Sequence, residues 1–181
     1  MRRAALALLI GLCACTATQT AGPSTTETLT PSDAATTLVA GGPITMTVQT
    51  PTASQGGEDP LVLMSLKAAD GRVMGFEELN HAPEHVMAQS AGGPLAQAMG
   101  LTAGDETPKL YGARASDNHG AAFLCGPDGP VSIGYYEARD GTVTMIGMKS
   151  NITFETLSDG QQHPVPFSPD QICARLHFRR S

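Results

Sequence analysis

The sequence predicts a mainly β fold, a β-rich α+β domain built as a small antiparallel sheet or barrel with one or two short helices. Three observations carry this expectation. Short segments alternate apolar and polar residues with a period of two, the pattern of a strand with one buried face. Asp-Gly pairs follow several of these segments and tolerate the positive φ that a tight hairpin requires. Stretches rich in good helix formers are confined to the middle of the chain and are broken by Gly92, Gly93 and Pro94.

ITMTVQ, residues 44–49, sets Ile44, Met46 and Val48 on one face. LVLMSLKA, 61–68, is a nearly continuous apolar run, Asp70-Gly71 supplies a turn, and RVMGFEEL returns as its partner. EHVMAQ and PLAQAMG are the helical candidates. Asp117-Asn118-His119-Gly120 reads as a polar loop, since an adjacent Asp and His rarely face one another and no nucleophile turn accompanies them. The clearest unit is VSIGYYEA, 131–138, joined through Arg139-Asp140-Gly141 to TVTMIGMK, 142–149. ITFETL, 152–157, adds a third strand to that hairpin, and CARLHF, 173–178, alternates Ala174, Leu176 and Phe178 against Arg175 and His177. Arg179-Arg180 reads as a solubilising tail. Tyr135 and Tyr136 point to opposite faces of their strand, one inward and one to solvent. Met64, Met74, Met87, Met99, Met145 and Met148 fall inside apolar patterns and read as core filler.

The first residues form a targeting segment. Arg2 and Arg3 precede an apolar run from Ala4 to Leu12, too short for a bilayer, which needs about 20 apolar residues. The run ends in Leu12-Cys13-Ala14-Cys15, with a Leu three positions before Cys15 and a small residue immediately before it. This resembles the lipobox of bacterial lipoproteins. The resemblance implies that residues 1–14 are a signal peptide that is removed and that Cys15 becomes the acylated first residue, carrying palmitate-type chains. Several chains hold a protein to a membrane that a single chain would leave reversibly bound. Thr16 is not the Asp that in many Gram-negative bacteria retains such proteins in the inner membrane. The expected location is therefore the outer membrane, facing the periplasm.

Residues 15–43 hold nine Thr with Pro23 and Pro31 and little that fills a core. They read as the lipidated Cys followed by a disordered Thr/Pro-rich tether. As a coil, the residues from 16 to 43 would span about 30 Å. A single globular domain over 44–181 follows, of ordinary domain size.

Charge narrows the partners. The whole chain carries 11 basic and 17 acidic residues, and removal of the leader takes two of the basic ones away. Such a surface repels phosphate backbones, whose binding depends on Lys and Arg displacing counterions, so nucleic acid is not an expected partner. Outside the cytoplasm the two remaining thiols, Cys125 and Cys173, most simply pair. A bridge over so long a loop would stabilise the fold by about 3 to 4 kcal/mol through restriction of the unfolded chain.

One stretch has the look of chemistry. NHAPEHVMAQ, 80–89, contains His81, Glu84 and His85 in the order HxxEH, which resembles the motif of the inverted zinc peptidases. That motif needs both His on one helical face with the Glu set to activate a metal-bound water. Pro83 suits a first helical position, which would leave His81 ahead of the helix. A second reading keeps the ligand logic without catalysis, with His81, Glu84, His85 and Met87 binding copper or zinc. The plainest reading is two histidines at the mouth of a loop. No cofactor is expected otherwise, and no catalytic residue is assigned.

A small disulfide-closed strand domain on an envelope lipoprotein broadly resembles the membrane-bound inhibitors of chicken-type lysozyme, which are eight-stranded barrels. The order Cys125, Gly129, Val131, Tyr135 carries the likeness. The SGxxY and WxKG signatures of those inhibitors are absent and the chain has no Trp, so no inhibitory residue transfers. The expectation is an envelope-anchored lipoprotein with a non-catalytic domain that binds or assembles with a protein or glycan of the periplasm or cell surface. A metal-binding lipoprotein and a small envelope hydrolase are the alternatives.

Overall fold

The hairpin around Asp140-Gly141 forms, and it sits at the centre of a sheet that curls until its two edges meet. The computed structural model describes residues 22–50, 61–80, 82–102, 105, 107–158 and 160–181. Ten strands run in chain order: β1 (Ser24–Pro31), β2 (Ile44–Gln49), β3 (Leu63–Lys67), β4 (Val73–Glu78), β5 (Lys109–His119), β6 (Ser132–Glu137), β7 (Thr142–Met148), β8 (Phe154–Thr156), β9 (Gln162–Pro164) and β10 (Ile172–Arg180). Three short helices, α1 (Ala34–Ala40), α2 (Pro83–Gln89) and α3 (Pro94–Met99), and a 3-10 turn at Pro169–Gln171 join them. Eight strands form a closed barrel in the order β1-β10-β7-β6-β5-β4-β3-β2, every neighbouring pair antiparallel, and β8 and β9 form a separate two-stranded sheet. The mainly β antiparallel expectation therefore holds, with the barrel as its realised form and α1 as an additional helix.

Period-two alternation explains the interior. Residues paired across two strands face the same side, so Met46 opposite Leu66, Met64 opposite Phe76, and Tyr135 opposite Met145 all turn inward. Phe76, Phe178, Leu29, Met64, Leu66 and Met145 are fully buried there. An eight-stranded barrel is just wide enough for its side chains to fill it, and here side chains from all eight strands meet in one buried cluster. Each such side chain contributes about 1.5–3 kcal/mol by leaving water.

A second cluster lies outside the barrel wall, where Ala88, Leu95 and Met99 of α2 and α3 pack on Leu110, Ile146 and Met148. Gly134 permits this approach, because a Cβ there would lie 2.7 Å from Leu95 Cδ1 and 3.0 Å from Ile146 Cγ1. Tyr136 packs against this cluster instead of facing open solvent, while Tyr135 turns inward as its position in β6 requires. Met87 is the exception among the methionines expected in the core, being exposed on α2.

The reading of residues 15–43 as a tether is corrected from Ser24 onward; residues 15–21 lie outside the described residues. β1 pairs with β10 on one side and β2 on the other and so closes the barrel. The globular domain therefore begins before residue 44. Thr-rich sequence is good strand sequence when neighbours exist on both sides. The following helix is capped at both ends: Asp33 Oδ1 accepts from the Thr36 backbone N–H at 2.7 Å, and Gly41 ends α1 with φ of 73°.

Two further expectations change. Asp117, Asn118 and His119 belong to β5 and not to a loop. Opposite β4 the register slips between the pairs Val73–His119 and Gly75–Arg114, and Asn118 Oδ1 accepts from the Gly75 N–H at 3.0 Å inside that irregularity. β8 does not extend the main hairpin, because β10 occupies the free edge of β7 and leaves β8 to pair with β9 alone.

Candidate functional site

The barrel has two ends of opposite character. At one end β1, β3, β5 and β7 begin and β2, β4, β6 and β10 finish. There the inward alternation of several strands continues past the apolar core into charge. Met74 and Phe76 lead to Glu78, Ile133 and Tyr135 lead to Glu137, and Leu176 and Phe178 lead to Arg180, while Glu27 faces inward opposite Met46. Lys109 and Tyr111 enter from β5, opposite Tyr135 and Ile133.

These groups are mutually paired. Lys109 Nζ lies 3.3 Å from Glu78 Oε1, with the Glu78 side chain 9% exposed and the lysine 52%. Arg180 donates to both carboxylate oxygens of Glu27 and, at 2.6 Å, to Glu137, so one guanidinium ties β10 to β1 and to β6 across the opening. Hydrogen bonding to Glu27 raises the Arg180 pKa further. The Tyr135 hydroxyl donates to Glu137 at 3.0 Å, and the Tyr111 and Tyr135 rings meet edge to face at 6.5 Å. Burial pushes both phenols well above their ordinary range, with Glu78 adding to the effect on Tyr111 and Glu137 on Tyr135. An open cleft of about 430 Å³ runs from Glu78 and Lys109 past Pro108 to Val86 of α2. The Arg179-Arg180 pair is thus the end of a barrel strand, and Arg180 is no loose tail.

The opposite end is stoppered. The β5–β6 connection folds Phe123 and Leu124 into the barrel, and the Arg72 guanidinium stands 5.6 Å over the Phe123 ring. Asp70 holds that guanidinium, accepting from Nε at 2.7 Å. The Sγ atoms of Cys125 and Cys173 lie 1.98 Å apart with Cα atoms 5.1 Å apart, at disulfide-bonding distance. Three local features seat the pair. Cys125 adopts a positive φ of 63°, which swings the chain back toward the wall. Cys173 is the extra residue of a bulge between the Ile172–Met148 and Ala174–Gly147 pairs, and a bulge re-aims a side chain. Gly147 leaves room, since a Cβ there would sit 2.6 Å from Cys125 Sγ.

Beside the sulfurs an open cleft of about 570 Å³ is lined by Val39, Phe123, Gly126, Lys149 and Ile172. The rim of this end also carries apolar side chains turned to solvent: Leu38 is 86% exposed, with Val39 and Val131 near 40%.

Cys15 and His81 lie outside the described residues. α2 starts at Pro83 with Ala82 as its N-cap and carries Glu84, His85 and Met87. Among the described residues no group of three His, Cys, Asp or Glu is close enough to hold a metal ion. The one buried hydroxyl without a hydrogen-bond partner among the described residues is Ser132 Oγ, 1% exposed on the outer face of β6. No helix among the described residues is long and apolar enough to cross a membrane.

Fold and ends together define a small closed antiparallel barrel with a charged mouth and a stoppered, apolar-rimmed end. Comparison with protein-family models, with curated proteins and with solved structures finds no match. The charged mouth escaped the sequence reading, although its signal was present in Glu78, Glu137 and Arg180, each two positions beyond an inward apolar residue.

Proposed function

We propose that the protein is an envelope-anchored lipoprotein whose barrel is a non-catalytic binding or assembly module, and that the stoppered end is its docking face for another envelope protein. The observation that carries this reading is that this end exposes the apolar side chains Leu38, Val39 and Val131, and that Val39 lines the cleft that also holds Lys149. A barrel interior occupied by a buried apolar cluster favours recognition at the outer surface. Apolar residues around a single cation favour a partner that presents an apolar side chain beside a carboxylate. The lipobox at Leu12 to Cys15 supplies the envelope address.

The test is a crosslinked pull-down from the native envelope with three forms of the full chain. Leu38→Glu reverses the apolar rim, Lys109→Glu disturbs only the charged mouth, and the unaltered protein is the reference. A protein captured by the reference and by Lys109→Glu but lost with Leu38→Glu supports the docking face. Equal capture by all three forms, or loss only with Lys109→Glu, rejects it.

A further inference from the structure

We propose that the charged mouth is the membrane-facing end of the barrel and rests on zwitterionic lipid headgroups, with the stoppered end turned away. The inference rests on the reading that Cys15 is acylated. Its first support is chain length. β1 begins at the mouth, and the Pro23 carbonyl already accepts from the Thr50 N–H at 3.1 Å, at the end of β2 on the same rim. Only residues 16–22 separate the acylated Cys from that anchored point. Seven residues reach about 25 Å when fully extended and about 15 Å as a coil. A tether running to residue 43 would have let the domain take any orientation. With β1 and α1 taken into the fold, the mouth is the part of the barrel held next to the lipid.

The chemistry of the mouth agrees. Its inward groups are Glu27, Glu78 and Glu137 with Lys109 and Arg180, both signs interspersed and paired. A mixed surface of this kind suits headgroups that carry a phosphate and an amine together. A net acidic chain does not favour a strongly anionic bilayer. Beside the mouth, α2 exposes Val86 at 54% and its neighbour Met87, short apolar side chains able to enter the interface without inserting deeply.

The sequence provides its own reporters, because it contains three lysines: Lys109 at the mouth, and Lys67 and Lys149 at the opposite end. The full acylated chain in phosphatidylethanolamine/phosphatidylcholine vesicles is treated with a bulky, membrane-impermeant amine reagent and read by peptide mass spectrometry. The reference is the unacylated Cys15→Ser protein mixed with the same vesicles. Labelling of Lys109 is expected to fall severalfold in the acylated protein while Lys67 and Lys149 are unchanged. Inserting about 20 Gly/Ser residues after Thr20, which roughly doubles the coil span, restores Lys109 labelling. Unchanged Lys109 labelling in a protein whose mass shows the acyl chains overturns the orientation and leaves the lipoprotein reading intact. Protection of Lys109 that appears only when envelope proteins are added overturns the lipid contact in favour of a protein one. A mass without acyl chains removes the underlying reading itself.

Discussion

The two ends of the barrel close the same cylinder by different physics. At the stoppered end, Phe123 and Leu124 are driven inside by the hydrophobic effect and a sulfur pair holds the chain that carries them. At the mouth, Arg180 reaches Glu27 on the neighbouring strand β1 and Glu137 on β6, which is not paired with β10, and Lys109 covers Glu78. The first arrangement restricts the unfolded chain and persists at any salt concentration. The second depends on ion pairs whose cations, Lys109 and Arg180, are 52% and 42% exposed, so water and salt weaken them. The stoppered end should therefore dominate stability, and the mouth should tune it.

Removal of the sulfur pair tests the larger side of that contrast. The double variant Cys125→Ala, Cys173→Ala is expected to lose about 3 to 4 kcal/mol, the cost of freeing a long loop in the unfolded chain. Chemical denaturation would read this as a lower midpoint. A loss no greater than that of a mouth variant would reverse the ranking of the two ends. Arg180→Ala addresses the smaller side. Its ion pairs involve side chains 20–42% exposed, so a loss of up to about 1 kcal/mol is expected, shrinking further in high salt. A salt-independent loss several times larger would mean that the mouth is a buried network.

The third expectation is silent near neutral pH. Burial raises the phenols of Tyr111 and Tyr135 in the fold, while the unfolded chain releases its phenolic protons near pH 10. The unfolded state then binds fewer protons than the folded one. Stability is fully present below about pH 10 and falls as pH rises beyond it. Tyr135→Phe should flatten that alkaline decline, measured as melting temperature against pH. Absorbance at the phenolate band should show Tyr111 and Tyr135 still protonated at a pH where free tyrosine has ionised. Ionisation of all three tyrosines at the ordinary pH would refute the burial of the mouth aromatics.

Much of the wall was legible. β2 announces itself through the alternation of apolar and polar residues, and β4, β6 and β7 through apolar segments set on either side of the Asp70-Gly71 and Asp140-Gly141 turns, signals that act between residues close in sequence. β1 did not, because STTETLTP offers one buried residue, Leu29, and its other inward group, Glu27, makes sense only beside Arg180 at the far end of the chain. β5 was obscured in the same way. Its first residues alternate, but the stretch through Asp117 to His119 is a polar irregularity that fits because Gly75 has no side chain opposite it. The charged candidates singled out on α2 were conspicuous for their spacing, whereas the mouth residues were conspicuous only for their parity. Parity acquires meaning when the strands on either side are known.

The sequence by itself determined which residues of β2 and of the β6–β7 hairpin face the same way, where the Asp-Gly turns fall, and that Cys125 and Cys173 both lie within the barrel domain. These are consequences of backbone geometry over a few residues. The tertiary structure alone decided that the sheet closes through β1, that the inward charges of five separate strands gather at one mouth, and that the apolar rim stands at the other. Those outcomes depend on pairings between segments up to about 150 residues apart, such as Leu29 with Arg180, which no local pattern encodes.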